Sequence, residues 1–218
     1  MTANFTPSLL MALTDYIPVI LFLIGSFYLG SIVHRKASTF VFIMFVIGIS
    51  ISHFAGFAKA TWKLLLATSG TNIAWLDDFQ FLFLGIGIFL VFVSILTIVI
   101  KQTKKSKRTL APALLTIKGT SAFYYLLTLV VLSTIGYLSC LIILSRKVKC
   151  HISVIFYIIY GVISILMGAL SGSGEYEIVN WIAQSINTIG TLSLLIAHIN
   201  LNKKDLENFK TNAIAKAA

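Results

Sequence analysis

Residues 79–100 read FQFLFLGIGIFLVFVSILTIVI, 22 positions without a charge. As a helix rising 1.5 Å per residue, this run covers about 33 Å, slightly more than the ~30 Å hydrocarbon core of a bilayer. Its apolar residues are continuous, not alternating, which excludes a membrane-spanning strand. Asp77 and Asp78 precede the run and Lys101 closes it, so charge returns where lipid headgroups begin.

Five more runs of the same kind flank it. Span one extends from Tyr16 to Val33 and ends at His34, Arg35 and Lys36; span two extends from Thr39 to about Lys59, its helix continuing through Trp62 and Lys63. After span three at 79–100 comes a basic run with Lys101, Lys104, Lys105, Lys107 and Arg108. Span four covers about Ser121 to Leu144, span five Ile152 to Leu170, and span six Ile178 to Ile199, followed by a polar tail over 205–218. The expected fold is therefore all-α: a polytopic transmembrane bundle of six spans, forming one integral membrane domain over 1–218.

Composition agrees. The 218 residues are 58% hydrophobic and 11% charged, against about 25% charged in a soluble domain. The formal charge of +10, from 17 Lys and Arg against 7 Asp and Glu, sits in short runs at span ends. There it meets anionic headgroups and sets orientation. No basic face interleaved with stacking aromatics is present, which argues against nucleic acid as a partner. Cys140 and Cys150 form neither a disulfide framework nor a metal motif, and the first span is expected to act as the insertion signal.

An internal repeat is legible. Halves at about 1–108 and 109–204 each read span, basic turn, span, acidic-aromatic loop, span, lysine. Arg35 and Lys36 correspond to Arg146 and Lys147; Trp75, Asp77, Asp78 and Gln80 correspond to Glu175, Glu177, Trp181 and Gln184. With six spans the halves come out inverted, and the basic residues divide 8 against 9 between the two sides, so the positive-inside rule cannot orient the chain. A seventh crossing between Arg108 and Arg146 changes the division to 14 against 3, at the cost of placing Lys118 in lipid, about 2.5–3.5 kcal/mol.

Polar residues inside the spans supply the candidate site. Asn180, Gln184, Asn187, Thr191 and His198 fall on one face of span six, and amides on that face need partners or water. His53 in span two is an intramembrane histidine with Ser50 one turn before it, suited to hydrogen bonding or proton exchange. Asp77 and Asp78 open span three, where they suit the helix dipole or form the mouth of a cation path with Lys59 or Lys63. Span six is expected to pack on span two, bringing Gln184 or Asn187 close to His53.

The leading functional expectation is binding or passage of a small solute or ion near the midplane, through His53, Asn180, Gln184, Asn187, Asp77 and Asp78. A non-catalytic sensor or assembly subunit is the first alternative; an intramembrane enzyme pairing His53 with a carboxylate is the second. No hydrolase, nucleotide, dinucleotide or zinc motif occurs, so no catalytic residue, metal or cofactor is expected.

Overall fold

The computed structural model describes residues 7–103, 122–170 and 177–217. Every element among them is helical. In chain order they are α1 (Leu9–Thr14), α2 (Tyr16–Lys36), α3 (Thr39–Ser69), α4 (Ala74–Asp78), α5 (Gln80–Thr103), α6 (Ala122–Lys147), α7 (His151–Leu170) and α8 (Glu177–Ala217). Five helical stretches are long and apolar enough to cross a membrane. The sixth, α7, has 20 residues, about 30 Å of helix.

Pro18 explains why α1 and α2 are separate. A proline has no N–H to offer the carbonyl four residues back, so the ladder breaks at Thr14 and Asp15. The Thr14 hydroxyl turns instead to the Leu10 and Met11 carbonyls, both at 3.0 Å. The tight turn from α6 to α7 has a different device: Lys149 adopts φ 59°, and the Cys150 amide donates to the Ser145 carbonyl at 2.8 Å. This six-to-one bond closes the helix end.

Directions follow from paired landmarks. Arg35 and Lys36, ending α2, meet Asp205 near the end of α8. The α3–α5 crossing matches residue 48 with 87–91 and residue 54 with 83, so these helices are antiparallel. Asn208 of α8 donates to the Val148 carbonyl at 3.5 Å, which places the end of α6 beside Asp205. Ser153 of α7 donates to the Ala197 carbonyl at 2.8 Å, and Gly190 meets Ile163, making α7 and α8 antiparallel. Thus α2, α5, α6 and α8 all run toward one end, while α3 and α7 run away from it.

Because α5 and α6 run the same way, the chain leaves Thr103 at one end of the bundle and re-enters Ala122 at the other. The positions between them, with Arg108 and Lys118, where the seventh crossing of the alternative arrangement is expected, lie outside the described residues. The helix directions correct the expectation of inverted halves: α2–α3–α5 and α6–α7–α8 run parallel.

The helices form a closed ring in the order α2, α3, α5, α6, α7, α8 and back to α2, with extensive interfaces at α3–α5, α5–α6, α7–α8 and α8–α2 and slighter ones at α2–α3 and α6–α7. A half-turn that carries α2 to α6, α3 to α7 and α5 to α8 maps this pattern onto itself. Gly25 of α2 packs on Leu195 and His198 of α8, as Gly136 of α6 packs on Phe92 of α5. Gly87 of α5 faces α3, as Gly190 of α8 faces α7. At Gly87 a Cβ atom would sit 2.7 Å from the Gly48 carbonyl oxygen and from the Ser52 amide. Backbones this close require glycine, the small-residue packing of membrane helices.

The basic end carries Arg35, Lys36, Lys101, Arg146, Lys147, Lys149, Lys203, Lys204 and Lys210 among the described residues, and the opposite end Lys59 and Lys63. In a background lacking Cys140 and Cys150, single cysteines at Ser38 and Lys149 should react with an impermeant thiol reagent from the same side of the membrane. Six crossings would place them on opposite sides, so opposite labelling contradicts the helix directions described here.

Candidate functional site

Helices α2 and α3 are tied together at both ends and pack less extensively than α3 does on α5. At the basic end the two-residue link Ala37–Ser38 joins them. At the opposite end the Tyr16 and Thr61 hydroxyls lie 3.0 Å apart and Lys63 pairs with Asp15 at 2.6 Å. Between these ties lies a groove of about 840 Å³, within the size range of small-molecule sites. Its rim includes Phe27, 68% exposed, together with Val46 and Phe57, both exposed. The opening lies on an outer face of the bundle.

His53 lies in the wall of this groove and is 8% exposed. Its ring sits 4.9 Å from that of Phe22, and neither Nδ1 nor Nε2 has a hydrogen-bond partner. A buried polar group without a partner costs about 1–3 kcal/mol, and hydrocarbon offers no substitute. Ser26 donates to the Phe22 carbonyl at 2.7 Å and Ser31 to the Phe27 carbonyl at 3.0 Å, whereas the adjacent Ser52 hydroxyl and Arg35 Nε at the far end of the groove are also buried without partners. By helical rise His53 lies about 21 Å from Thr39 and about 9 Å from Lys59, so it sits about 6 Å from the middle of that stretch, on the side of the opposite end.

The span-six stripe does not reach the groove. Gln184 donates through Nε2 to the Thr14 hydroxyl at 2.6 Å and to the Met11 carbonyl at 3.3 Å, fastening α8 to the short helix α1. Thr191 donates to the Asn187 and Thr188 carbonyls at 2.9 and 3.1 Å. Asn187 and Asn180 are half-buried and are not part of the groove wall. The expected pairing of span two with span six is corrected: α2 lies between α3 and α8 and packs on both. Periodicity had identified a face of span six without identifying what covers it.

Asp77 and Asp78 lie at the opposite end. Asp77 pairs with Lys59, whose ammonium also lies 4.7 Å over the Trp62 ring, while Asp78 is exposed. Lys63 is taken by Asp15. No carboxylate lines the described groove, so the geometry brings His53 together with none of the other five candidates.

A second histidine, His198, behaves in the opposite way. It is 1% exposed. Its Nδ1 lies 3.1 Å from the Gly25 carbonyl and its Nε2 3.0 Å from the Tyr137 hydroxyl. A carbonyl can only accept, so Nδ1 carries the proton, and in the neutral ring Nε2 accepts from Tyr137. The Tyr157 ring packs 5.7 Å away. One side chain thereby joins α2, α6, α7 and α8 in a closed core. Sequence reading placed His198 on the stripe but missed Tyr137 and Tyr157; a tyrosine deep in an apolar span, asking for a partner for its hydroxyl, was the available signal.

No family model, curated protein or solved structure matches this chain. Its class rests on its own fold: a multi-pass α-helical membrane protein.

The Asp205 and Asp77 ion pairs differ in depth. Asp205 is 3% exposed and accepts from Arg35 and Lys36 at 3.1 and 2.7 Å, whereas the Lys59 and Asp77 side chains are 29% and 35% exposed. Asp205→Asn should therefore lower stability in micelles by about 3 kcal/mol, the cost of stranding a buried partner. Asp77→Asn should cost ~1 kcal/mol or less. Unfolding titrations of both variants test this ordering; equal losses would contradict it.

Proposed function

We propose that this membrane protein binds a small, largely apolar molecule in the groove between α2 and α3, taken up sideways from the bilayer. The observation that carries this reading is His53: a buried imidazole with two unpartnered nitrogens, in the wall of a cavity of about 840 Å³. Histidine is a poor choice for simply filling space in a span, since an apolar residue would fit without the cost of an unmet hydrogen bond. Binding is favoured over passage because the centre of the bundle is closed by Leu194, Leu141, Ile95 and the His198–Tyr137 pair. The pairing of a histidine with a carboxylate, needed for an intramembrane hydrolytic enzyme, has no support in the groove.

We further propose that the two parallel three-helix halves descend from one duplicated unit. The half-turn that relates their interfaces and their glycines supports this reading, and parallel repeats about an axis along the membrane normal are a known transporter plan.

A neutral alkyl diazirine probe, photolysed with the reconstituted protein, should label peptides covering 23–35 and 42–57 saturably. Gly30→Leu should remove that labelling by filling the groove, because a Cβ there meets only the Phe45 ring edge at 3.4 Å. Gln184→Leu should leave it intact. Non-saturable labelling spread over every outward helix face would overturn the proposal.

A further inference from the structure

The groove has two polar ends, and they differ in what they can accept. At the basic end Arg35 lines it; this guanidinium is already paired with a protein anion, although its buried Nε has no hydrogen-bond partner. Its Nη2 donates to Asn202 at 2.7 Å and to Asp205 at 3.1 Å, so the protein supplies its own anion. At the inner end stands His53, with no charged group beside it in the groove wall. Between them, over about 20 Å of helix, the wall is formed largely by Leu23, Phe27, Phe42, Phe45 and Ile49.

Resting on the binding function proposed above, we infer that the ligand is an uncharged lipid-soluble alcohol: a long or ringed hydrocarbon body carrying a hydroxyl that hydrogen-bonds His53. A hydroxyl both donates and accepts, so it meets either imidazole nitrogen whichever of the two holds the proton. A charged head at that depth would have to shed its water with no counter-ion beside it, at a cost of several kcal/mol. The hydrocarbon body matches the aromatic and aliphatic wall and keeps its route to the bilayer through the open rim at Phe27 and Val46. A carboxylic acid of the same body is the competing ligand. It would place its head at Arg35, where Asp205 already stands.

Three matched probes separate these cases in detergent-solubilised full-length protein at pH 8: 12-(1-pyrenyl)dodecanol, the corresponding dodecanoic acid, and 1-dodecylpyrene. The alcohol should bind most tightly. His53→Phe should weaken it about tenfold, the loss expected for one buried hydrogen bond, and leave the hydrocarbon unchanged. His53→Gln, which restores a neutral hydrogen-bonding group, should recover part of the loss and show that the effect is not misfolding. Tighter binding of the acid, lost in Arg35→Gln, would overturn the alcohol assignment and leave groove binding standing. Equal binding of alcohol and hydrocarbon, unaffected at His53, would overturn it as well. Failure of all three probes to bind above the Gly30→Leu background would defeat the binding function itself.

Discussion

Hydrocarbon supplies no hydrogen bonds, and the polar side chains of this bundle are arranged around that constraint. Most spans meet it locally. Ser26, Ser94, Ser145, Ser164 and Ser193 each return a hydroxyl to the carbonyl four residues back, the economical solution for a serine inside a helix. His198 meets it across the bundle, filling both ring nitrogens from two other helices. Gln184 meets it only through Nε2, which binds the end of α1, while its Oε1 is buried without a partner. His53 alone among the described histidines of the spans leaves both nitrogens open, and it does so in the wall of the groove between α2 and α3.

Packing explains why the gap falls there. The α3–α5 pair is drawn together at Gly48 and Gly87 until backbone meets backbone, and α8 is held against α2 at Gly25 by His198 and Leu195. With α3 drawn to α5 and α2 to α8, contact between α2 and α3 is slighter: polar ties at one end through Tyr16, Thr61, Asp15 and Lys63, and side-chain packing at Phe22–His53 and Gly30–Phe45 along the way. The related slight interface, α6–α7, is closed at the basic end by the turn at Lys149 and lined by Tyr157. Close packing on two sides of the ring thus creates the groove on a third.

The spans themselves were legible in the sequence, because charged residues stop each apolar run at the thickness of a bilayer. Boundaries such as Lys36 and Thr39, or Lys147 and His151, fall where basic residues interrupt hydrophobicity. Helix direction was not legible: the basic residues divide almost evenly for six crossings, and the parallel course of α5 and α6 is apparent only from contacts between helices. The site was legible in one residue. Periodicity shows that Gln184 and Asn187 share a face, but a face has no address until its neighbour is known, and that neighbour proved to be α1 and α2 instead of α3. The glycine crossing at Gly48 and Gly87 went unread because it involves single glycines on different spans, without a stripe to announce it.

The central claim is that His198 is a closed structural link while His53 is an open ligand-binding group. Nitrogen-15 NMR of histidine-labelled protein in lipid bilayers, recorded with and without 1-dodecanol, tests it most directly, with His53→Phe and His198→Gln assigning the signals. The His198 resonances should keep one protonated and one accepting nitrogen throughout, while a His53 nitrogen shifts as the alcohol enters. Movement of His198 with His53 unchanged would contradict the account.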